Sequence, residues 1–190
     1  MQSMASGVSV RVIKAGRMGF AYCTQQSMLE RTVDKALEIS RLGKALPVHF
    51  PGRKPFPRPK GTFDERILPL SPEDGIRFST EMIQEARRVD KGIQVTGGGV
   101  DFGFSETGLV NSNGVSYSEK GTAISAGAFV SLKGRTTSTG FDHSSARTFT
   151  IDFPSLGRNA ARLAVESRNP VATDTGPRTV VFTPEATAEL

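Results

Sequence analysis

Asp142-His143-Ser144 holds the three side-chain types of a nucleophilic triad in one tripeptide. A triad works because acid, base and nucleophile converge from separate elements on one reacting atom. Consecutive residues do not converge in that way. The tripeptide therefore reads as part of a polar loop, 134–150, at the end of a sheet, and such loops can line a site. Gly97-Gly98-Gly99 raises the question of phosphate binding. A phosphate cradle needs a strand before the glycines and a helix directly after them. Here Val100-Asp101-Phe102 continues extended, so the triplet predicts a bulge or a close approach of strands. Cys23 is the single cysteine, which precludes an internal disulfide and points to a reducing, cytoplasmic setting. It ends an apolar run and reads as a small core residue rather than a nucleophile. Zinc needs three or four ligands in close geometry. Cys23, His49 and His143 are spread over 120 positions. The residues thus assign no catalytic, cofactor-binding or metal-binding position, and they predict no stoichiometric zinc on this chain.

Charge suggests partners instead. The net charge is +5 and the isoelectric point about 9.7. The excess is local: residues 41–60 carry six Lys or Arg, no acid and five of the eleven prolines. Proline resists helix and lacks an N–H donor, so 45–62 reads as an ordered or semi-rigid surface connection. A solvated basic loop is the simpler reading, and contact with an acidic partner or nucleic acid is the alternative. Against nucleic acid stand two Tyr, no Trp and no recognisable binding motif. No apolar run approaches the length of a membrane span, and MQSMASG lacks the pattern of a signal peptide. At 190 residues, 37% hydrophobic and 23% charged, the chain fits one globular domain.

The elements that would position these residues follow from periodicity. Val8, Val10 and Val12 alternate with Ser9, Arg11 and Ile13, Lys14-Ala15-Gly16-Arg17 supplies a turn, and Met18, Phe20 and Tyr22 resume the alternation. Ser27 and Glu30 have the spacing of a capping box for a helix to about Gly43, with Leu29, Val33, Ala36, Leu37 and Ser40 as its inner stripe. Ser71-Pro72-Glu73-Asp74 starts a second helix to about Val89, with Ile76, Thr80, Ile83 and Ala86 on one face. Asn111-Ser112-Asn113-Gly114 is a hairpin signal between extended runs. Ile124, Ala126, Ala128, Val130 and Leu132 alternate in a third strand of an antiparallel meander. A third helix spans Pro154 to about Ser167 through Leu156, Ala160, Leu163 and Ala164. Val180-Val181-Phe182 reads as a closing strand, and Thr183-Pro184-Glu185 as a helix start. The class is α+β: about six strands, mostly antiparallel, covered by three amphipathic helices.

SGVSVRVIKAGRMGFAY, NSNGV, the Ala-rich helix and the final VVFTPEA together resemble the N-terminal region of the TldD/PmbA (TldE) metallopeptidase family, over nearly all of 6–190. The ending looks more like the PmbA/TldE-type subunit than the TldD type. The resemblance implies cytoplasmic cleavage of peptides in an enclosed cavity, by a heterologous pair or a homodimer. It implies that zinc, in the catalytic branch, is held by a His-Glu-x-x-x-His helix and a later cysteine beyond the equivalent of Leu190. None of those ligands maps onto this sequence. It also implies a helix and strand ahead of Val8, so the chain is expected to lack family segments at both ends and to be inactive alone.

Three functions remain open on these grounds. The first is a region of a metallopeptidase-family protein that shapes the substrate chamber and subunit contact. The second is a non-catalytic module that binds a peptide or partner at an exposed strand edge. The third is a basic nucleic-acid-binding protein.

Overall fold

Alternating valines build the first strand of a hairpin in the computed structural model, which describes residues 3–134 and 136–188. Strand β1 (Val8–Lys14) pairs antiparallel with β2 (Arg17–Cys23). The turn places Ala15 at φ 50° and Gly16 at φ 71°, the positive values that the sequence assigned to this glycine. Helix α1 (Leu29–Ser40) lies on the hairpin. The contact is made by small groups: a Cβ on Gly19 would stand 1.9 Å from the Ala36 carbonyl oxygen. Thr32, Ala36 and Ser40, spaced four apart, form the buried stripe.

The larger layer begins after the connection. A 3-10 turn, Glu65–Ile67, precedes α2 (Pro72–Val89). Strands β3 (Ile93–Val110), β4 (Ser116–Leu132) and β5 (Ser138–Ala146) form one antiparallel sheet in that order. Helix α3 (Phe153–Glu166) returns beside α2 on one face of this sheet. The core sits there. Ile67, Phe78, Met82, Ile124, Phe153 and Leu156 fill one end, and Ile93, Val130, Leu132 and three α3 alanines fill the other. Phe78 and Phe153 stack with centroids 4.3 Å apart. Helices and strands approach again through glycine. A Cβ on Gly140 would meet the Ala160 oxygen at 2.0 Å, and one on Gly157 the Met82 oxygen at 2.0 Å. The units β1–β2–α1 and β4–β5–α3 thus share one device, a second-strand glycine set under a helix alanine.

The α+β class and the antiparallel sheets stand as expected. Several local readings do not. The described residues hold five strands, because 116–117 and 124–132 belong to one continuous β4. The polar segment 134–150 is largely strand β5, not a loop. Its inward positions are Ser138, Gly140, Asp142, Ser144 and Ala146, too small or polar to show a hydrophobic alternation. Ser27 forms no capping box. It sits in a 3-10 turn, Gln26–Met28, and α1 starts at Leu29 without a side-chain cap. The inner stripe of α1 shifts by one position, which leaves Leu29 and Val33 exposed. On α2 the buried face is Phe78, Met82 and Ala86, and Ile76 is exposed. On α3, Leu163 is exposed while Leu156, Ala160 and Ala164 are buried as expected. Val180, Val181 and Phe182 form no strand and are exposed, since no neighbouring strand meets them. The helix start at Thr183 does form: Pro184–Ala188 is helical, and the Ala186 N–H donates to Thr183 Oγ1 at 3.3 Å.

Candidate peptide-binding groove

The residues that could do chemistry are held apart. His143 points away from the helices on β5, whereas Asp142 faces α3 and accepts a hydrogen bond from Asn159 Nδ2 at 2.9 Å. Neighbours on a strand face opposite sides, so the tripeptide cannot act together. Cys23 is half-buried at the end of β2. His49 lies in the proline-rich connection. The ladder between β3 and β4 shifts between Val95 and Gly97, and Gly98 has φ 122°, with Gly127 close behind it. The bulge itself falls at Thr96, and Gly97 to Gly99 pair in register with Phe129 to Gly127, so of the two expectations the triplet meets the close approach of strands, at Gly98. Among the described residues no three His, Cys, Asp or Glu side chains are placed to hold a metal ion. The donor set of these residues therefore does not fit zinc.

What the fold does build is a groove. Beyond the helices, β3 and β4 run on as a two-stranded ribbon to the Asn111–Gly114 turn. Asn111 Oδ1 accepts from the N–H groups of Asn113 and Val115, which fixes that turn. The same two asparagines hold the connection. Asn113 Nδ2 donates to the Phe50 carbonyl at 2.8 Å, and Asn111 Nδ2 to the Pro51 carbonyl at 2.9 Å. At the far end, the Thr122 N–H donates to the Thr62 carbonyl at 3.0 Å. The Asp64 N–H donates to Thr122 Oγ1 at 2.9 Å. Leu46 N–H ties the near end to the Gly16 carbonyl at 2.8 Å. The proline-rich arch is therefore pinned on both sides, and its middle stands over the ribbon. Phe56 leans on Tyr117 with ring centroids 4.7 Å apart.

Arch and ribbon enclose about 1090 Å³ of open space lined by Arg53, Lys54, Phe56, Arg58, Leu109 and Tyr117, among others. The Tyr117 hydroxyl donates to Glu119 Oε2 at 2.7 Å, and this bond, with some burial, pushes the phenol above its ordinary pKa. Among the described residues Arg53, Lys54 and Arg58 make no ion pair. The groove thus joins aromatic walls with unneutralised cations. The signal was in the sequence, as the basic proline-rich run, but nothing in the sequence said what the run would lie against.

Below the groove, Asp64 anchors the arch to the core. It accepts from the Arg66 side chain at 2.7 Å and from the Phe149 N–H at 2.8 Å, which holds its carboxyl well below the usual range. A further surface faces away from the helices. Gly97, Gly99, Gly103, Ala123, Ser125 and Gly127 keep much of it low, with the exposed Asp101 standing among them opposite Ser125. Phe129, Phe141 and His143 stack at one end of it, with centroids 4.0 and 5.1 Å apart.

The model of the PmbA/TldA metallopeptidase central domain matches residues 65–168, which span α2 to α3. The model of domain 1 of the same family matches residues 2–40, the first hairpin and its helix. This chain belongs to the PmbA/TldA metallopeptidase family. An uncharacterized protein of Methanocaldococcus jannaschii is 34% identical over 130 residues, which cover 68% of this chain and 30% of that protein. The chain thus spans less than a third of that relative's length. Among solved structures, TldE from Thermococcus kodakarensis superposes with a TM-score of 0.77 at 22% identity, covering 88% of this chain and 40% of its own. A candidate modulator of a DNA gyrase from Thermotoga maritima gives 0.74 at 19% identity, covering 84% and 37%. At such identities the likeness is one of fold alone. No helix among the described residues is long and apolar enough to cross a membrane.

Proposed function

We propose that this chain is the part of a PmbA/TldA-family peptidase that receives peptide and meets a second subunit of the same family, with metal chemistry supplied outside these residues. The observation that carries the reading is the pinned arch over the β3–β4 ribbon. A peptide needs an extended cleft with apolar walls and polar anchors, and this groove supplies both. The proline-rich backbone adds rigidity, so little order has to be gained on binding. The outer face of the central sheet suits the subunit contact, because small residues let another backbone approach closely. The exposed Phe129–Phe141 stack would then anchor that contact. In the same reading the chain is of the PmbA/TldE type, supported by the Phe182-Thr183-Pro184-Glu185-Ala186 ending, and works in a cytoplasmic setting, supported by its single cysteine.

The test is amide chemical-shift mapping of the chain with an unstructured peptide. Shifts at Phe56, Leu109 and Tyr117 that a Tyr117→Ala change abolishes are expected. Shifts confined to β2 and α1, near Cys23 and Arg31, would put the peptide elsewhere and overturn the reading.

A further inference from the structure

We infer that the arch groove selects acidic, extended peptide segments; the inference rests on the peptide-binding reading above and adds the chemistry of the peptide. The groove offers positive charge in a defined geometry. Arg53, Lys54 and Arg58 all line the groove, and among the described residues none is paired. The acid in the lining, Glu119, accepts a hydrogen bond from Tyr117, so part of its acceptor capacity is already used. Elsewhere on the central layer some cations find acids, as Arg77 does Asp74, Arg158 Glu85 and Arg168 Asp90, while Arg87, Lys91 and Lys133 stand apart without an acid and outside the groove. What sets the arch apart is that three such unpaired cations lie along one groove.

The arch also fits a chain rather than a small anion. Pro51, Pro55, Pro57 and Pro59 keep the backbone open and remove donors along one side. The cations are spread along this extended run instead of converging on one point. Arg53 and Arg58 are five residues apart on a chain with no helix or strand, so they present charge at intervals along the groove. Between them Phe56 and its Tyr117 partner offer an apolar surface, as do Leu109 and Val110 on the ribbon. The complementary ligand is an extended segment with carboxylates spaced by apolar or proline residues. These cations are exposed, so their pull on a ligand carboxylate weakens as salt rises. Carboxylates on the ligand would also receive directed N–H bonds from two guanidinium groups.

The experiment uses the 190-residue chain and fluorescein-labelled octapeptides that alternate Glu with Val or Pro. Fluorescence anisotropy compares this peptide with its Gln and Lys counterparts and with a short thymidine oligonucleotide. The Glu peptide is expected to bind about tenfold tighter than the Gln peptide, as a few charge contacts would give. Arg53→Gln, Lys54→Gln and Arg58→Gln together should remove that advantage. A control removes the same charge at the far end of the sheet with Arg87→Gln, Lys91→Gln and Lys133→Gln, and should change affinity less than about twofold. Circular dichroism confirms that both variants are folded. Equal weakening by the control would mean a general field effect and overturn the selection. Glu and Gln peptides that bind alike, both lost with Tyr117→Ala, would overturn the charge selection and leave the peptide groove standing. Tighter binding of the oligonucleotide, lost with the arch variant, would overturn the choice of peptide. Absence of binding by every peptide would overturn both readings.

Discussion

Gly19, Gly140 and Gly157 are the residues on which the layers close. Each sits where a Cβ would come within 1.9–2.0 Å of a helix carbonyl oxygen, and backbone cannot move aside as a flexible side chain can. Alanine at any one of them should destabilise the chain by about 1–3 kcal/mol or more, read by urea unfolding. Gly99 and Gly103 have nothing within 4 Å of the corresponding position. Alanine there should be neutral or stabilise by about 0.4–1 kcal/mol through the unfolded chain. If the two sets behave alike, close approach is not what these glycines provide. Acid sensitivity belongs to the same scale. Hydrogen bonds from Arg66 to Asp64, Arg158 to Glu85, the Gly92 N–H to Asp90 and Ser155 to Asp152 hold these carboxyls below their ordinary values. Depressed values mean that the unfolded chain binds more protons in the acid range. The stabilisation is complete above the ordinary carboxylate range, about pH 4, and is lost as pH falls below it. Melting temperature should therefore decline below about pH 4, and Asp64→Asn should flatten part of that decline while lowering the temperature at neutral pH. A pH profile unchanged by Asp64→Asn would show that the bonds to Arg66 and Phe149 carry none of it.

Among the elements, the helices show how a cap and its sequence signature differ. Ser71 and Asp74 form a reciprocal capping box on α2, while Ser27 and Glu30, with the same spacing, do not on α1. Ser71→Ala should cost about 1 kcal/mol, and Ser27→Ala close to nothing, as thermal unfolding would report. The connection is the other element with a clear expectation. Its backbone makes few hydrogen bonds of its own between Gly52 and Lys60, and its residues are exposed. Limited trypsin treatment should cut first after Arg53 or Lys60, because a following proline protects Lys54 and Arg58. Asn111→Ala with Asn113→Ala should speed that cut by releasing the Phe50 and Pro51 carbonyls. First cleavage within β3 or β4 would mean that the ribbon, not the arch, is the weaker element.

For the whole molecule, packing falls into two layers. β1, β2 and α1 contact one another, and β3 to β5 contact α2 and α3. Nearly all buried apolar side chains belong to the second group. The two family models end and begin on either side of the connection. A fragment of residues 60–170 should therefore fold alone, with the far-UV spectrum and cooperative melting of a packed sheet and two helices. Loss of cooperativity in that fragment would show that the first hairpin is required for the core.

Sequence alone determined what local pattern can carry. The first hairpin, the Asn-Gly turn, the close strand approach at the triple glycine and the α2 cap were legible, because each depends on a few neighbouring residues and their permitted backbone angles. So was the exclusion of the adjacent Asp-His-Ser tripeptide. The family was legible as well, through the order of those patterns, and the central-domain match bears it out. Tertiary structure alone decided the rest. Strand β5 was hidden because its inward side is Ser, Gly and Asp, chosen to fit under α3 rather than to be hydrophobic. The buried faces of α1 and α2 shifted because burial follows the partner's shape, and an amphipathic stripe fixes a helix face only to within a residue or so. Val180 to Phe182 had strand propensity and no partner, and a strand exists only as part of a ladder. The groove belongs to this second class. Its cations stand in one segment and its walls about 60 residues further on, and hydrogen bonds from Asn111 and Asn113, which no local pattern announces, bring them together.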